Sequence, residues 1–238
     1  MIQVITFDLW NTLFINKFYS DERISYFIEF LDGRKNIPSI IKVKEAFNYA
    51  FHLPEREFES INFRHIYTKD RISKMLEFLK IDLTKPDKHK IKQEFEEIML
   101  KDPPSLKKGV KKTLQKLAPI YKVGLISNTG ITPGYVIKKV LKKYQILQYF
   151  QLTLFSDETG FYKPSPMMFE MALEKLKCKP HNAIHIGDIL ETDIKGAKES
   201  RMLAIWFNDS FSSQSSDVQP DFEIHQISEI IEIINMLN

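Results

Sequence analysis

Hydrophobic and polar residues follow two different regimes along the chain. Short runs rich in Val, Ile, Leu and Phe at 3–8 (QVITFD), 121–127 (YKVGLIS), 151–155 (QLTLF), 183–187 (AIHIG) and 202–207 (MLAIWF) predict strands. Between them, VKKTLQKLAPI, PGYVIKKVLKKY and PSPMMFEMALEKLK carry apolar residues at helical spacing. Strands that alternate with helices need crossover connections, so this half of the chain predicts a mainly parallel sheet covered on both faces. The expected fold is α/β and doubly wound (Rossmann-like), with its ligand site at the carboxyl ends of the strands.

Residues 15–104 follow the other regime. DERISYFIEFL, SIIKVKEAFNYAF, TKDRISKMLEFLK and KIKQEFEEIML are amphipathic helical patterns, separated by Gly33, Pro38, Pro54 and Pro86, and no strand pattern interrupts them. Pro103 and Pro104 in KDPPS close the stretch. The expected organisation is an α/β core of residues 1–14 and 105–238, with residues 15–104 a helical cap inserted after the first strand. NDSFSSQSSD at 208–217 reads as a mobile surface loop, and DFEIHQISEIIEIINML as a last short strand and closing helix.

Composition narrows the class. With 238 residues, 43% hydrophobic and 27% charged, the chain can bury one substantial core with an appended unit, as an ordinary soluble globular protein does. Its 34 basic residues are nearly balanced by 31 acidic ones, so no strong net field favours nucleic acid or an anionic membrane, and neither is expected as a partner. The lysine-rich KKGVKKTLQK at 107–116 reads as a solvated helix face. A single cysteine, Cys178, excludes an internal disulfide and fits a reducing compartment. The opening run MIQVITF lacks a basic start and is cut by Asp8, too short for a signal-peptide core or a membrane span. A cytoplasmic monomer or homodimer acting on a small molecule is the expectation.

The strand ends carry the candidate chemistry. They present Asp8 in FDLWNTL, Ser127 and Asn128 in LISNTG, Lys163 in GFYKPSP, and Asp188 with Asp193 in IGDILETD. In a doubly wound sheet these positions converge on one crevice. A nucleophilic carboxylate, a hydroxyl donor, a fixed cation and further carboxylates suit displacement at an anionic centre. Two of the carboxylates can share a hard cation such as Mg²⁺, which takes oxygen ligands.

This order of motifs resembles the haloacid dehalogenase superfamily, which includes phosphatases, phosphomutases and dehalogenases, and the helical insertion sits where that family places a cap. The resemblance implies that Asp8 is a nucleophile forming a covalent aspartyl ester. It implies that Ser127 holds the transferring group and that Lys163 neutralises Asp8 and the substrate anion. Mg²⁺ is then bound by Asp8, Asp188 and the backbone carbonyl of Trp10, with Asp193 a supporting acid. Thr12 matches the hydroxyl position of the first motif, and Thr12, Asn128 and Trp10 are the expected substrate contacts.

Trp10 departs from the phosphatase pattern. Two residues after the nucleophile the family's phosphatases commonly carry a second aspartate that protonates the leaving group, a step an indole cannot perform. A positioned acid or base is typically worth about 10² to 10⁴ in rate. A halide leaves unprotonated, so FDLWNTL looks closer to the L-2-haloacid dehalogenases, whereas IGDILETD keeps the acids of a metal-dependent phosphatase. The pair Asp8 and Asp188 favours the phosphatase, because like charges facing each other need a cation to relieve them. The alternatives are a metal-independent dehalogenase and a catalytically weak member that binds an anion or a partner. From the insertion, Arg23, Arg34, Arg56, Arg64 and His65 are candidates to meet a second anionic group on a substrate.

Overall fold

The apolar runs pair into one sheet. In the computed structural model, which describes residues 1–34, 37–51, 62–212 and 216–238, they form β1 (Val4–Phe7), β2 (Lys122–Ser127), β3 (Leu152–Phe155), β4 (Ala183–Gly187) and β5 (Leu203–Phe207), with β6 (Phe222–Ile224) at one edge. The order across the sheet is β3-β2-β1-β4-β5-β6, and every neighbouring pair is parallel. From β1 the chain winds outward to β3, then crosses back to β4 on the other side of β1. That reversal opens a crevice at the carboxyl ends of β1 and β4.

Between β1 and β2 lie helices α1 (Ser20–Leu31), α2 (Ile40–Phe51), α3 (Thr68–Leu79) and α4 (Lys85–Glu97), the last continuing into a 3₁₀ turn at Ile98–Leu100. They close around an apolar cluster of their own that includes Phe27, Phe47, Met75, Ile91 and Phe95. The α4 pattern at 90–100 continues upstream, because Thr84 caps the helix by accepting from the Asp87 N–H at 3.3 Å. Pro86 therefore opens α4 instead of separating two helices, since a first-turn N–H needs no partner within the helix. Pro54 lies outside the described residues.

The remaining helices, α5 (Val110–Leu117), α6 (Gly134–Lys143), α7 (Ser156–Thr159), α8 (Pro166–Leu176), α9 (Lys195–Glu199) and α10 (Ile230–Leu237), belong to the sheet. Strand residues alternate between its faces. Ile5, Phe7, Leu125 and Ile186 pack with apolar residues of α5, α6 and α10, whereas Val4, Ile126, Leu154 and Ala204 pack with those of α8 and α9. Burial on both faces explains why these strands read as continuous apolar runs. Of the loop expected at 208–217, residues 213–215 lie outside the described residues. At its start Asn208 is buried and ties the turn down, with Oδ1 accepting from Ser212 N at 2.9 Å and Nδ2 donating to Ser212 O at 3.0 Å.

Two seams join the helical insertion to the sheet. At its ends the entering and leaving segments lie side by side, with Ile15 N donating to Ser105 O at 2.9 Å and Lys107 N donating to Leu13 O at 2.8 Å. Further on, Tyr162 N donates to Phe63 O at 2.7 Å and His65 N donates to Gly160 O at 2.9 Å.

Phe95 is the keystone of the insertion's cluster, fully buried with ring centroids 6.1 Å from Phe47 and 5.8 Å from Phe51. Phe95→Ala is expected to cost about 3–5 kcal/mol, read as a lower urea midpoint. A loss below about 1 kcal/mol would show that the cluster refills the cavity.

Candidate active site

The strand ends bring the sequence-predicted residues together at the crevice. Asp8 follows β1 directly, and its N–H extends the ladder by donating to Ile186 O at 2.8 Å. The chain then turns sharply, with Asn11 in the left-handed region at φ 54° and both Leu13 N and Phe14 N donating to Leu9 O at 2.9 Å. Asparagine tolerates that conformation better than most side chains. This turn places Thr12, fully buried, on the same loop as Asp8.

Lys163 is the centre of the polar contacts. Its Nζ donates to Asp8 Oδ1 at 2.5 Å and to Asp193 Oδ1 at 2.5 Å, and all three side chains are buried. The Lys163 backbone is held by Asn128, whose Oδ1 accepts from Lys163 N at 2.7 Å and whose Nδ2 donates to Lys163 O at 3.1 Å. Both ends of the Asn128 amide are thus occupied in positioning the lysine. Ser127 is fully buried at the end of β2, its hydroxyl 3.3 Å from Asn128 O. Trp10 Nε1 donates to the same carbonyl at 3.2 Å and ties the first loop to the second.

Asp193 reaches the lysine because Gly187 lets it. A Cβ at Gly187 would lie 2.2 Å from Asp193 Cγ, so only glycine admits the carboxylate against the end of β4. Asp193 Oδ2 accepts from Ile189 N at 3.1 Å, and Oδ1 also takes His185 Nε2 at 3.3 Å. His185 was not singled out by the sequence, although a lone polar residue in the middle of AIHIG is the signal that marks it. Burial lowers its pKa against the upward pull of the hydrogen bond to Asp193, and the lowering favours the neutral ring. With Nε2–H donating to Asp193, Nδ1 accepts from the Thr6 hydroxyl at 2.9 Å.

Charge is unbalanced in this site. Asp8, Asp188 and Asp193 each offer a carboxylate oxygen within 4.8 Å of the others, against the single ammonium of Lys163. Burial pushes Asp8 up to about 6 although Lys163 pulls it down, and Asp193 adds to the rise. Burial, then the charges of Asp8 and Asp193, push Asp188 up to about 8. Burial would raise Asp193 as well, but Lys163 and the His185 hydrogen bond hold it well below the usual carboxylate range. Burial alone would lower Lys163, and the two carboxylates outweigh it and hold it at about 12. Asp8 Oδ2 and Thr12 Oγ1 are buried polar atoms without a hydrogen-bond partner among the described residues. An orphaned carboxylate oxygen beside a second, destabilised carboxylate is the donor set a hard dication such as Mg²⁺ fits.

A chamber of about 510 Å³ is walled by residues of the strand-end loops, among them Trp10 and Asn128, and of the helical insertion, among them Tyr19 and Arg23. It reaches the carboxylate cluster only through Trp10 and Asn128, whose loops carry Asp8 and hold Lys163. The other basic candidates of the insertion have separate places. Arg34 pairs with Asp87 at 3.1 Å, Arg64 lies 4.3 Å over the Phe161 ring, and His65 Nδ1 is 3.1 Å from Ser156 Oγ. Arg56 lies outside the described residues.

A family model for haloacid dehalogenase-like hydrolases matches residues 2–201. Glyceraldehyde 3-phosphate phosphatases are among the similar curated proteins. The one from Methanothermobacter thermautotrophicus is 34% identical over 119 residues, which is 47% of this chain and 51% of that protein. The one from Pyrococcus furiosus is 31% identical over 131 residues, 54% of this chain and 53% of that protein. The chain thus spans about half the length of the curated relatives it matches. Among solved structures, a 2-haloacid dehalogenase from Pseudomonas syringae superposes with a TM-score of 0.75 at 22% identity over 100% of both chains. A HAD phosphatase from Thermococcus onnurineus gives 0.66 at 23% identity over 98% of both chains. At these identities the likeness is one of fold.

The raised carboxylate at Asp188 predicts a pH signature in metal-free protein. Its folded pKa, about 8, exceeds the ordinary 3.8, so folding favours the protonated form. That stabilisation is complete below pH 3.8 and is lost as pH rises through about 8. In chelator, Asp188→Asn is expected to raise the stability at pH 8 by on the order of 2 kcal/mol relative to the parent and to bring the two together near pH 4. Thermal unfolding measured across that range checks this, and parallel curves would oppose it.

Proposed function

Because the chain belongs to the haloacid dehalogenase-like hydrolases, we propose that it is a Mg²⁺-dependent phosphatase that cleaves small phosphorylated metabolites through an aspartyl-phosphate on Asp8. The observation that carries this reading is the cluster of three carboxylates around one lysine, with one oxygen of Asp8 left free. Asp8 attacks phosphorus through one carboxylate oxygen, while Lys163 stays on Oδ1 and steadies the carboxylate. The bond from phosphorus to the ester oxygen breaks as the bond to the carboxylate oxygen forms, and water later opens the acyl phosphate. Ser127, the hydroxyl of Thr12 and the ammonium of Lys163 hold the phosphoryl oxygens.

Asp8, Asp188 and the Trp10 carbonyl would hold Mg²⁺, with Asp193 in support. When bound there, the ion supplies positive charge that balances the acids and the phosphoryl group. Asp193 acts through Lys163, since both of its oxygens are already engaged. Residues 15–104 serve as the cap that roofs the crevice and selects the substrate. Curated relatives are named for activity on glyceraldehyde 3-phosphate, ribulose 1,5-bisphosphate and phosphoserine, which supports a small phosphate ester as substrate. No helix among the described residues is long and apolar enough to cross a membrane. A reducing cytoplasm, suggested by the lone Cys178, is the proposed location.

Trp10 favours a second reading, a dehalogenase in which Asp8 attacks carbon and a halide departs without a proton. No Asp or Glu is among the described residues that line the chamber. For the phosphatase this slows esters with alkoxide leaving groups relative to those whose leaving group departs as a stable anion.

Two measurements test the proposal. Turnover of an aryl phosphate is expected to vanish in excess chelator and to return with Mg²⁺, and Asp8→Asn to lower it by about 10³-fold or more. Undiminished turnover in chelator, together with halide release from a 2-haloacid, would establish the dehalogenase. Aryl and acyl phosphates are expected to outpace alkyl phosphates, and Trp10→Asp to narrow the gap by restoring a proton donor worth about 10²-fold. An equal change on both classes would make Trp10 a packing residue.

A further inference from the structure

The chamber is chemically lopsided in a way the phosphate-transferring residues do not use. Arg23, on α1, lines it and is only 5% exposed. Its Nε donates to Phe95 O at 2.9 Å and its Nη2 to Thr132 Oγ1 at 3.0 Å. Nη1 has no hydrogen-bond partner, and the guanidinium no carboxylate partner, among the described residues. Burial lowers its pKa to about 10, against smaller upward pulls from Tyr19 and Glu22.

The neighbouring cations differ. Arg71 also lines the chamber and is buried, but its guanidinium closes the carbonyls of Ala50 and Phe51 at the end of α2. Lys17 pairs with Asp102. Arg23 alone of these three keeps an unpaired N–H edge on the chamber, and its anchors come from both sides, Phe95 from the insertion and Thr132 from the loop after β2. Tyr19 backs the guanidinium at 5.7 Å from its ring centroid. A planar, pre-positioned fork of N–H donors suits carboxylate and phosphate oxygens.

We propose that Arg23 binds a second anionic group on the substrate, so that the chamber takes a small phosphomonoester that also carries a carboxylate or a second phosphate. The phosphate half of this ligand rests on the phosphatase reading, and the second anion rests on Arg23. A chamber of about 510 Å³ has room for a metabolite of a few carbons, with Arg23 on one wall and Trp10 and Asn128, of the loops that carry and position Asp8 and Lys163, on another. Trp10 and Tyr19 add aromatic surface to its lining.

Matched pairs separate the two halves. With Mg²⁺ present, kcat/KM is compared for 3-phosphoglycerate against glycerol 3-phosphate, and for fructose 1,6-bisphosphate against fructose 1-phosphate. In parallel, calorimetric titration compares 3-phosphonopropionate with propylphosphonate, which needs no turnover. The parent protein is expected to prefer at least one dianionic partner by about 10- to 100-fold, the worth of a charge-assisted hydrogen bond. The pair that shows the preference tells carboxylate from phosphate. Arg23→Met is expected to lower kcat/KM on the preferred substrate, mainly through KM, by about 10-fold more than on its matched partner. Arg23→Lys, which keeps the charge but not the fork, should fall between them, and it substitutes for the methionine variant if that one does not fold.

Equal loss on both members of each pair, or a parent without preference in either assay, overturns the assignment while leaving the phosphatase intact. Preference in the titration with no turnover of any ester, an aryl phosphate included, leaves Arg23 as an anion site and removes the phosphatase reading.

Discussion

The structure turns on one buried ammonium. Lys163 stands between Asp8 and Asp193 and keeps two acids compatible inside a crevice where water cannot screen them. An ion cluster of this kind gives little net stability, because desolvation offsets most of the Coulomb attraction, yet removing one member leaves a bare buried charge. Much of the surrounding local structure serves that contact. Asn128 grips the lysine backbone, Gly187 clears the approach of Asp193, and His185 and Thr6 brace Asp193 from below the sheet ends.

The elements most legible in the sequence were those whose burial is simple. Strands buried on both faces appeared as apolar runs, and β1, β2, β3, β4 and β5 fall within a residue or two of where those runs lie. The strand-end polar residues were legible for the same reason, since an apolar run has no use for a terminal aspartate. The start of α4 was misread because Pro86 has opposite meanings in a first turn and in a helix interior.

What the site residues touch was harder to read. Asn128 was expected to face the substrate; it lines the chamber, and its amide also holds the Lys163 backbone, a partnership that spans 35 positions and has no local pattern. His185 went unnoticed because one polar residue in a strand is ordinary until its neighbours are known. Arg23 was one of five basic candidates, and only the packing of α1 against α4 and the loop after β2 separates it from Arg34 and Arg64, which lie against surface partners.

The side-by-side path of the chain at Leu13–Ile15 and Ser105–Lys107 bears on how far the insertion can be separated from the sheet. To the sheet, the intervening helices amount to a short bridge, whatever their number, since loop-closure entropy grows only slowly with loop length. Such a junction lets the helices between be lengthened, shortened or replaced without breaking the sheet. The exchange is not wholly free. Phe63 and His65 are hydrogen-bonded to Gly160 and Tyr162, immediately before Lys163, so a transplanted roof must also bring a sequence that stitches to that loop. The insertion is therefore separable from the sheet at one seam and tethered to it at the other.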